Sequence, residues 1–265
     1  MGVLAAERIK ITSTKSPWWC TIAVIVFGIG LAAVVGITSK IGLTSYQDQV
    51  AQGNTPDYEP YLPSVYDSVG SGVGGFGVMV LMILAALTVT SEYRFGVIRT
   101  TFQAIPNRSS VLVAKAALIG VFAFVLSFVL GLVAFYTTKT FAGADAGTLL
   151  SFDVDGTWRV IYGTAILAFF QVVIAVGVGA LLRQSAGAIA LLLLWPLVIE
   201  SLFGLFGSVG RAIQPFLPWL NASHFLGSDG GVDFHWGPIG SLIYFIVFTA
   251  IVFGAALFVT NRRDA

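Results

Sequence analysis

The sequence predicts an all-α polytopic membrane protein: six transmembrane helices, an N-terminal elbow helix, a cytoplasmic helix between spans two and three, and short outer-leaflet helices between spans five and six. Three observations carry this. The chain of 265 residues is 57% hydrophobic and only 10% charged, outside the range of an ordinary soluble domain. Its apolar residues form six uninterrupted blocks, at about residues 18–38, 69–90, 111–138, 160–182, 186–206 and 238–260. A bilayer is crossed by about 20 apolar residues, and lipid offers no hydrogen bonds to an open backbone, so runs of this length are helical. The basic residues, finally, collect mainly on one side of the blocks and the acidic residues on the other.

That side is set by the basic residues. With six spans both termini share a face. Ten of the 14 lysines and arginines fall there: Arg8, Lys10, Lys15, Arg94, Arg99, Arg108, Lys115, Arg183, Arg262 and Arg263. Lys40, Lys139, Arg159 and Arg211 fall opposite. The positive-inside rule places both termini in the cytoplasm, in a plasma (inner) membrane, and residues 1–265 read as one transmembrane domain.

In chain order, residues 1–17 read as a cytoplasmic helix turning into span one, because Pro17-Trp18-Trp19 suits a membrane interface. The first run is too long for a signal-peptide core and reads as a span. The outer stretch 39–68 is polar, with Asn54-Thr55-Pro56-Asp57 as a turn signal. Span two opens with the glycine-rich run 70–77. No GK[ST] follows it, so close helix packing is expected rather than a phosphate loop.

Residues 91–106 (SEYRFGVIRTTFQAIP) are expected to form a helix on the cytoplasmic surface, with Ser91 as N-cap and Pro106 closing it. At 100° per residue Phe95, Ile98, Phe102 and Ile105 share one side, and Glu92, Gly96, Arg99 and Gln103 the other. Span three is long enough to tilt or project. Residues 207–237 hold Pro215, Pro218, Trp219, His224 and Trp236, and suggest short helices dipping into the outer leaflet.

Glu200, four residues after Pro196, is the one acid expected inside a span. A charge near mid-bilayer costs roughly 2.5–3.5 kcal/mol, so Glu200 must face protein, a water-filled route or a partner. Two readings stand: a place in the transport path or outer gate, or a hydrogen bond to the outer-segment helices. Gln171 in span four carries the same pair of readings. Ser127 and Thr249 are expected to bond back to their own helices. His224 and His235 are expected at the interface or exposed, with no metal site.

No catalytic constellation is present: no HExxH, no serine nucleophile with a histidine beside it, no P-loop. The near-neutral charge of +1 gives no reason to expect nucleic acid, and the single Cys20 forms no intrachain disulfide.

The chain resembles a type-2 ABC transporter permease of the actinobacterial kind. The residues carrying the resemblance are Glu7, Lys10, Ser13, Thr14, Ser16, Trp18 and Trp19, and above all Ser91-Glu92-Tyr93-Arg94-Phe95-Gly96-Val97-Ile98-Arg99-Thr100-Thr101. Ala104-Ile105-Pro106-Asn107-Arg108, Val111-Leu112-Val113-Ala114-Lys115, and Pro196 with Glu200 also fit. The resemblance implies a helix between spans two and three that docks on a separately encoded ATPase. Glu92, Tyr93, Arg94, Arg99 and Gln103 are then the coupling interface, with Glu7 and Lys10 secondary. It implies two ATPase subunits carrying ATP and Mg, none bound by this chain, and a second permease, identical or related. The expected cargo is amphipathic or hydrophobic: a drug, lipid, glycolipid or peptide. The alternatives are a secondary transporter driven by an ion gradient, or a membrane scaffold or immunity protein without a transport cycle.

Overall fold

The computed structural model describes residues 2–104 and 107–262, and within these not the side chains of Arg99, Phe102 and Ala104. Ile105, Pro106 and Arg263 lie outside the described residues, and with them the expected closing of the polar helix at Pro106. The described chain is helical, without strands. Six segments are long and apolar enough to cross a membrane: Ser16–Ala51, Val65–Arg94, Arg108–Gly147, Thr157–Leu182, Ser185–Phe216 and Pro238–Arg262.

Helix α1 (Val3–Thr12) precedes α2 (Ser16–Ala51), with Pro17 in the first turn of α2, where a missing N–H costs nothing. At 36 residues α2 is about 54 Å long, well beyond a hydrocarbon core of about 30 Å. The polar stretch 39–51, expected as loop, is therefore helix. A span already wound offers each following residue one hydrogen bond per residue fixed, so the helix runs on until Gly53, at φ 82°, ends it.

Ser64 caps α3 (Val65–Val69) by accepting the Asp67 N–H at 3.0 Å. Residues Gly70–Gly77 follow in a π-helical stretch leading into α4 (Val78–Arg94). The glycine run packs against α2, as expected: a Cβ at Gly72 would stand 2.7 Å from the Phe27 carbonyl oxygen.

The structure corrects the start of the polar helix. Span two continues through Ser91 and Glu92 to Arg94, so Ser91 is a mid-helix residue and not an N-cap. The chain then breaks at Phe95-Gly96, where Gly96 adopts φ +70° and donates its N–H to the Tyr93 carbonyl. A separate helix α5 occupies Val97–Ala104. Gly96 makes the turn between α4 and α5.

Helix α6 (Arg108–Gly147) is 40 residues long and bends at Gly143. It lies along α2: Thr138 Oγ1 donates to the Ala32 carbonyl at 2.9 Å, and Gly36 faces the Thr138 backbone. Helix α7 (Thr157–Leu182) is the most buried span, packed among α4, α6 and α12 (Pro238–Arg262). Small residues allow it: Ala165, Ala168 and Ala175 are all fully buried.

Arg183, in the left-handed conformation, turns the chain straight into α8 (Ser185–Leu194). Span five then breaks up. Around Pro196 the helix widens into a π-helical turn, Trp195–Ile199, followed by α9 (Glu200–Leu202) and α10 (Gly207–Ile213). Pro218 opens α11 (Pro218–Leu226), which packs on α12.

Candidate functional site

Four helices meet in a cluster of charges at one end of the bundle. Lys115 is 2% exposed and Glu7 1%, while Glu92 is 8% exposed. Lys115 Nζ donates to Glu7 Oε2, and to Glu92 Oε1 at 2.8 Å. Lys10 Nζ donates to Glu7 Oε1 at 2.9 Å, Glu92 Oε1 at 3.0 Å and Thr101 Oγ1 at 3.3 Å. The four charges cancel. They join α1 (Glu7, Lys10), α4 (Glu92) and α6 (Lys115), and Thr101 brings in α5.

Local structure explains the convergence. Glu7 and Lys10 are three apart on α1, and so share a face. Glu92 sits in the last turn of α4, and Lys115 lies two turns into α6 behind an apolar lead of Val111, Leu112, Val113 and Ala114. Burial alone would lower the Lys10 pKa. Hydrogen bonds and charge from Glu7 and Glu92 outweigh that and hold the ammonium above its ordinary value. Glu92 Oε2 is buried and finds no partner among the described residues.

The seven residues expected at a coupling interface thus separate. Glu7 and Glu92 are buried and Lys10 is half-buried between them, and these three brace the bundle end. Tyr93 is partly buried with the Arg183 guanidinium 4.8 Å above its ring, which ties α4 to the turn between spans four and five. Arg94 and Gln103 are exposed. The side chain of Arg99 lies outside the described residues. Phe95, expected on the apolar side with Ile98, is 72% exposed, because it sits in the turn before α5 and not on the helix; Ile98 is buried.

Lys115, which joins both carboxylates, was not among the residues expected at the interface. The available signal was a lysine set inside a run of apolar residues, which demands a carboxylate partner within the fold. The same bundle end carries the other termini: Asn261 of α12 hydrogen-bonds Ser109 at the start of α6.

At the other end, Glu200 is 2% exposed and accepts three hydrogen bonds. Trp195 Nε1 and the Trp219 N–H reach Oε1 at 2.9 and 3.0 Å, and the Leu220 N–H reaches Oε2 at 2.9 Å. The carboxylate caps the first turn of α11, whose own N-cap position, Leu217, has no side-chain acceptor. Of the two readings, the hydrogen bond to the outer-segment helices is thus present in the fold. Glu200 also lines, together with Gln171, Thr164 and Trp219, a cavity of about 260 Å³.

Beside α11 a second polar network is closed. Asn221 Nδ2 donates to the Pro215 and Leu217 carbonyls, Ser241 Oγ donates to Asn221 Oδ1, and His224 Nδ1 meets Ser241 Oγ at 2.7 Å. His224 is therefore buried, against expectation, while His235 is exposed. The His224 ring lies parallel to Phe234 at 4.0 Å, an apolar contact that the sequence did not announce. Thr249 bonds back to Phe245, whereas Ser127 Oγ has no partner among the described residues.

Fold and charge placement define a multi-pass helical membrane protein with a buried ionic brace at one end and a carboxylate-capped helix at the other. Compared with protein-family models, curated proteins and solved structures, the chain matches none.

Proposed function

We propose that this chain is the membrane-spanning subunit of an ATP-driven ABC exporter of the type-2 permease kind. In this reading it forms part of the path for an amphipathic or hydrophobic compound, two separate ATPase subunits bind ATP and Mg, and a second permease copy or relative completes the route. Both termini and α5 face the cytoplasm of the plasma membrane.

One observation carries the reading. A short helix, α5, hangs between spans two and three and is fastened through Thr101 to the buried charges of α1, α4 and α6. A partner pressing on α5 would move three membrane-embedded or surface helices together, as rigid-body coupling requires. The exposed residues around it, Arg94, Phe95, Val97 and Gln103, offer that partner an apolar and polar surface. The cavity at Gln171 and Glu200 supports a route near the opposite end.

The test has two parts. The whole chain is affinity-purified from native membranes, and a P-loop ATPase should accompany it. Arg94→Glu with Gln103→Ala should lower its recovery about tenfold, the effect of one or two interface contacts. A cysteine introduced at Gln103, with Cys20 replaced, should resist an impermeant thiol reagent in intact cells. Absence of any ATPase sinks the proposal in favour of a gradient-driven transporter or a scaffold; labelling from outside inverts the topology.

A further inference from the structure

A groove near the charge cluster belongs to neither site above. It has a volume of about 300 Å³ and lies among α2, α4 and α6, with α1 closing one side. Thr21 of α2, Leu84 and Thr88 of α4, and Leu118 and Phe122 of α6 line it, with Ile11 of α1. Leu84 and Thr88, like Leu118 and Phe122, are four residues apart, one turn of the same helix face. The apolar walls therefore extend along the helices, the direction in which lipid chains lie. The lining includes a single charged residue, Arg8, which is exposed and has no ion pair among the described residues. Trp18 at the rim is 68% exposed, on the Pro17-Trp18-Trp19 corner that suits the headgroup level.

We propose that this groove holds one acyl chain of an anionic phospholipid whose phosphate is bound by Arg8. The two parts have different tasks. A lipid tail gains nothing hydrophobic by leaving other tails for Leu or Phe side chains, so the groove fixes where the lipid sits but not which lipid it is. The choice falls to the charge. One cation near the surface favours an anionic headgroup by about fivefold. The inference requires only that α1 lies at the membrane surface, and it stands apart from the transport reading.

The experiment uses the whole chain, purified in detergent and offered equimolar phosphatidylglycerol and phosphatidylcholine with identical acyl chains. Native mass spectrometry counts the lipid retained. The expected result is about fivefold more phosphatidylglycerol on the wild type, and equal retention on Arg8→Ala. Lys15→Ala, which removes a cation of the same segment outside the groove, should keep the preference. Thr88→Trp, filling the groove, should lose the retained lipid of both kinds; if that variant does not fold, Thr21→Leu crowds the same walls more gently and should reduce retention. Equal retention by the wild type overturns the proposal. So does a preference that survives Arg8→Ala, or one that Lys15→Ala abolishes equally, since that would make it diffuse surface charge. Undiminished retention in the groove-filling variant overturns it too.

Discussion

Replacing Lys115 by methionine tests the ionic brace directly. Lys115 is 2% exposed and touches both Glu7 and Glu92, the latter at 2.8 Å. At an effective dielectric constant of about 20, one such contact is worth about 6 kcal/mol of attraction before desolvation, which takes back several kcal/mol. Lys115→Met leaves two carboxylates with Lys10 alone, and the Lys10 side chain is 36% exposed. Breaking a buried pair on one side costs about 3–5 kcal/mol. The expected loss is therefore about 3–5 kcal/mol. The double variant Glu7→Gln, Lys115→Met restores neutrality and should recover more than half of it. The assay is reversible unfolding in mixed micelles, followed by tryptophan fluorescence. A loss below about 1 kcal/mol for Lys115→Met, or a double variant no better than the single, would refute the account of a dry, mutually compensated cluster.

Three further outcomes follow from other parts of the fold. Glu200→Gln keeps one acceptor but turns an amide N–H₂ toward Trp219 or Leu220, so about 1–3 kcal/mol should be lost, and hydrogen exchange at these two amides should quicken; unchanged exchange would remove the capping role. Gly36→Ala places a Cβ 2.7 Å from the Thr138 carbonyl oxygen, backbone that cannot yield, and should cost about 1–3 kcal/mol, while Gly30→Ala, with open space around it, should be neutral or better in the same unfolding assay. Tyr61 is pushed up to about 12, by burial first and then by Asp67. The unfolded phenol ionises near 10.0, so the contribution is whole below that pH and is lost as pH rises through about 12. Asp67→Asn should bring the midpoint down part of the way, read from the tyrosine Cζ resonance, and a wild-type midpoint of 10 would contradict the Asp67 contact, the Tyr61 ring itself being 47% exposed.

The spans were legible because lipid imposes a length and a composition on any helix that crosses it, and blocks such as 160–182 satisfy both. What lay beyond lipid was not. Residues 39–51 are helical without an apolar pattern, held by continuation of α2 and not by periodicity. The break at Gly96 was hidden because the polar stretch 91–104 has acceptable helical spacing throughout; a positive φ is a property of the assembled turn, and glycine alone does not declare it. Burial of Glu7 and Glu92 was equally hidden. A carboxylate on a polar helix face looks solvated until its partner is known, and the partners come from residues 82 and 108 positions apart. Glu200 was easier, because a lone acid in an apolar run must be satisfied by something, and the free amides of a nearby helix start are the cheapest source.

The inward turn of Glu92 changes how force would pass through this end of the protein. Had 91–106 been one helix, a load on its polar face would have gone straight into span two. Instead α4 and α5 are separated by the Phe95-Gly96 turn, which has open space around Gly96 and can bend. A second connection is lateral. Thr101 reaches Lys10, Lys10 reaches Glu7 and Glu92, and Lys115 closes the group from α6. Under the proposed coupling, displacement of α5 therefore reaches α1 and α6 together with α4, and α6 runs the full depth of the bundle beside α2. Cutting the Lys10–Thr101 link should then separate α5 from the rest without disturbing the spans. A Thr101→Val variant keeps the shape and loses only that hydroxyl, so under the proposal it should retain the partner ATPase while weakening the link between nucleotide hydrolysis and efflux; full coupling in that variant would place the lever elsewhere.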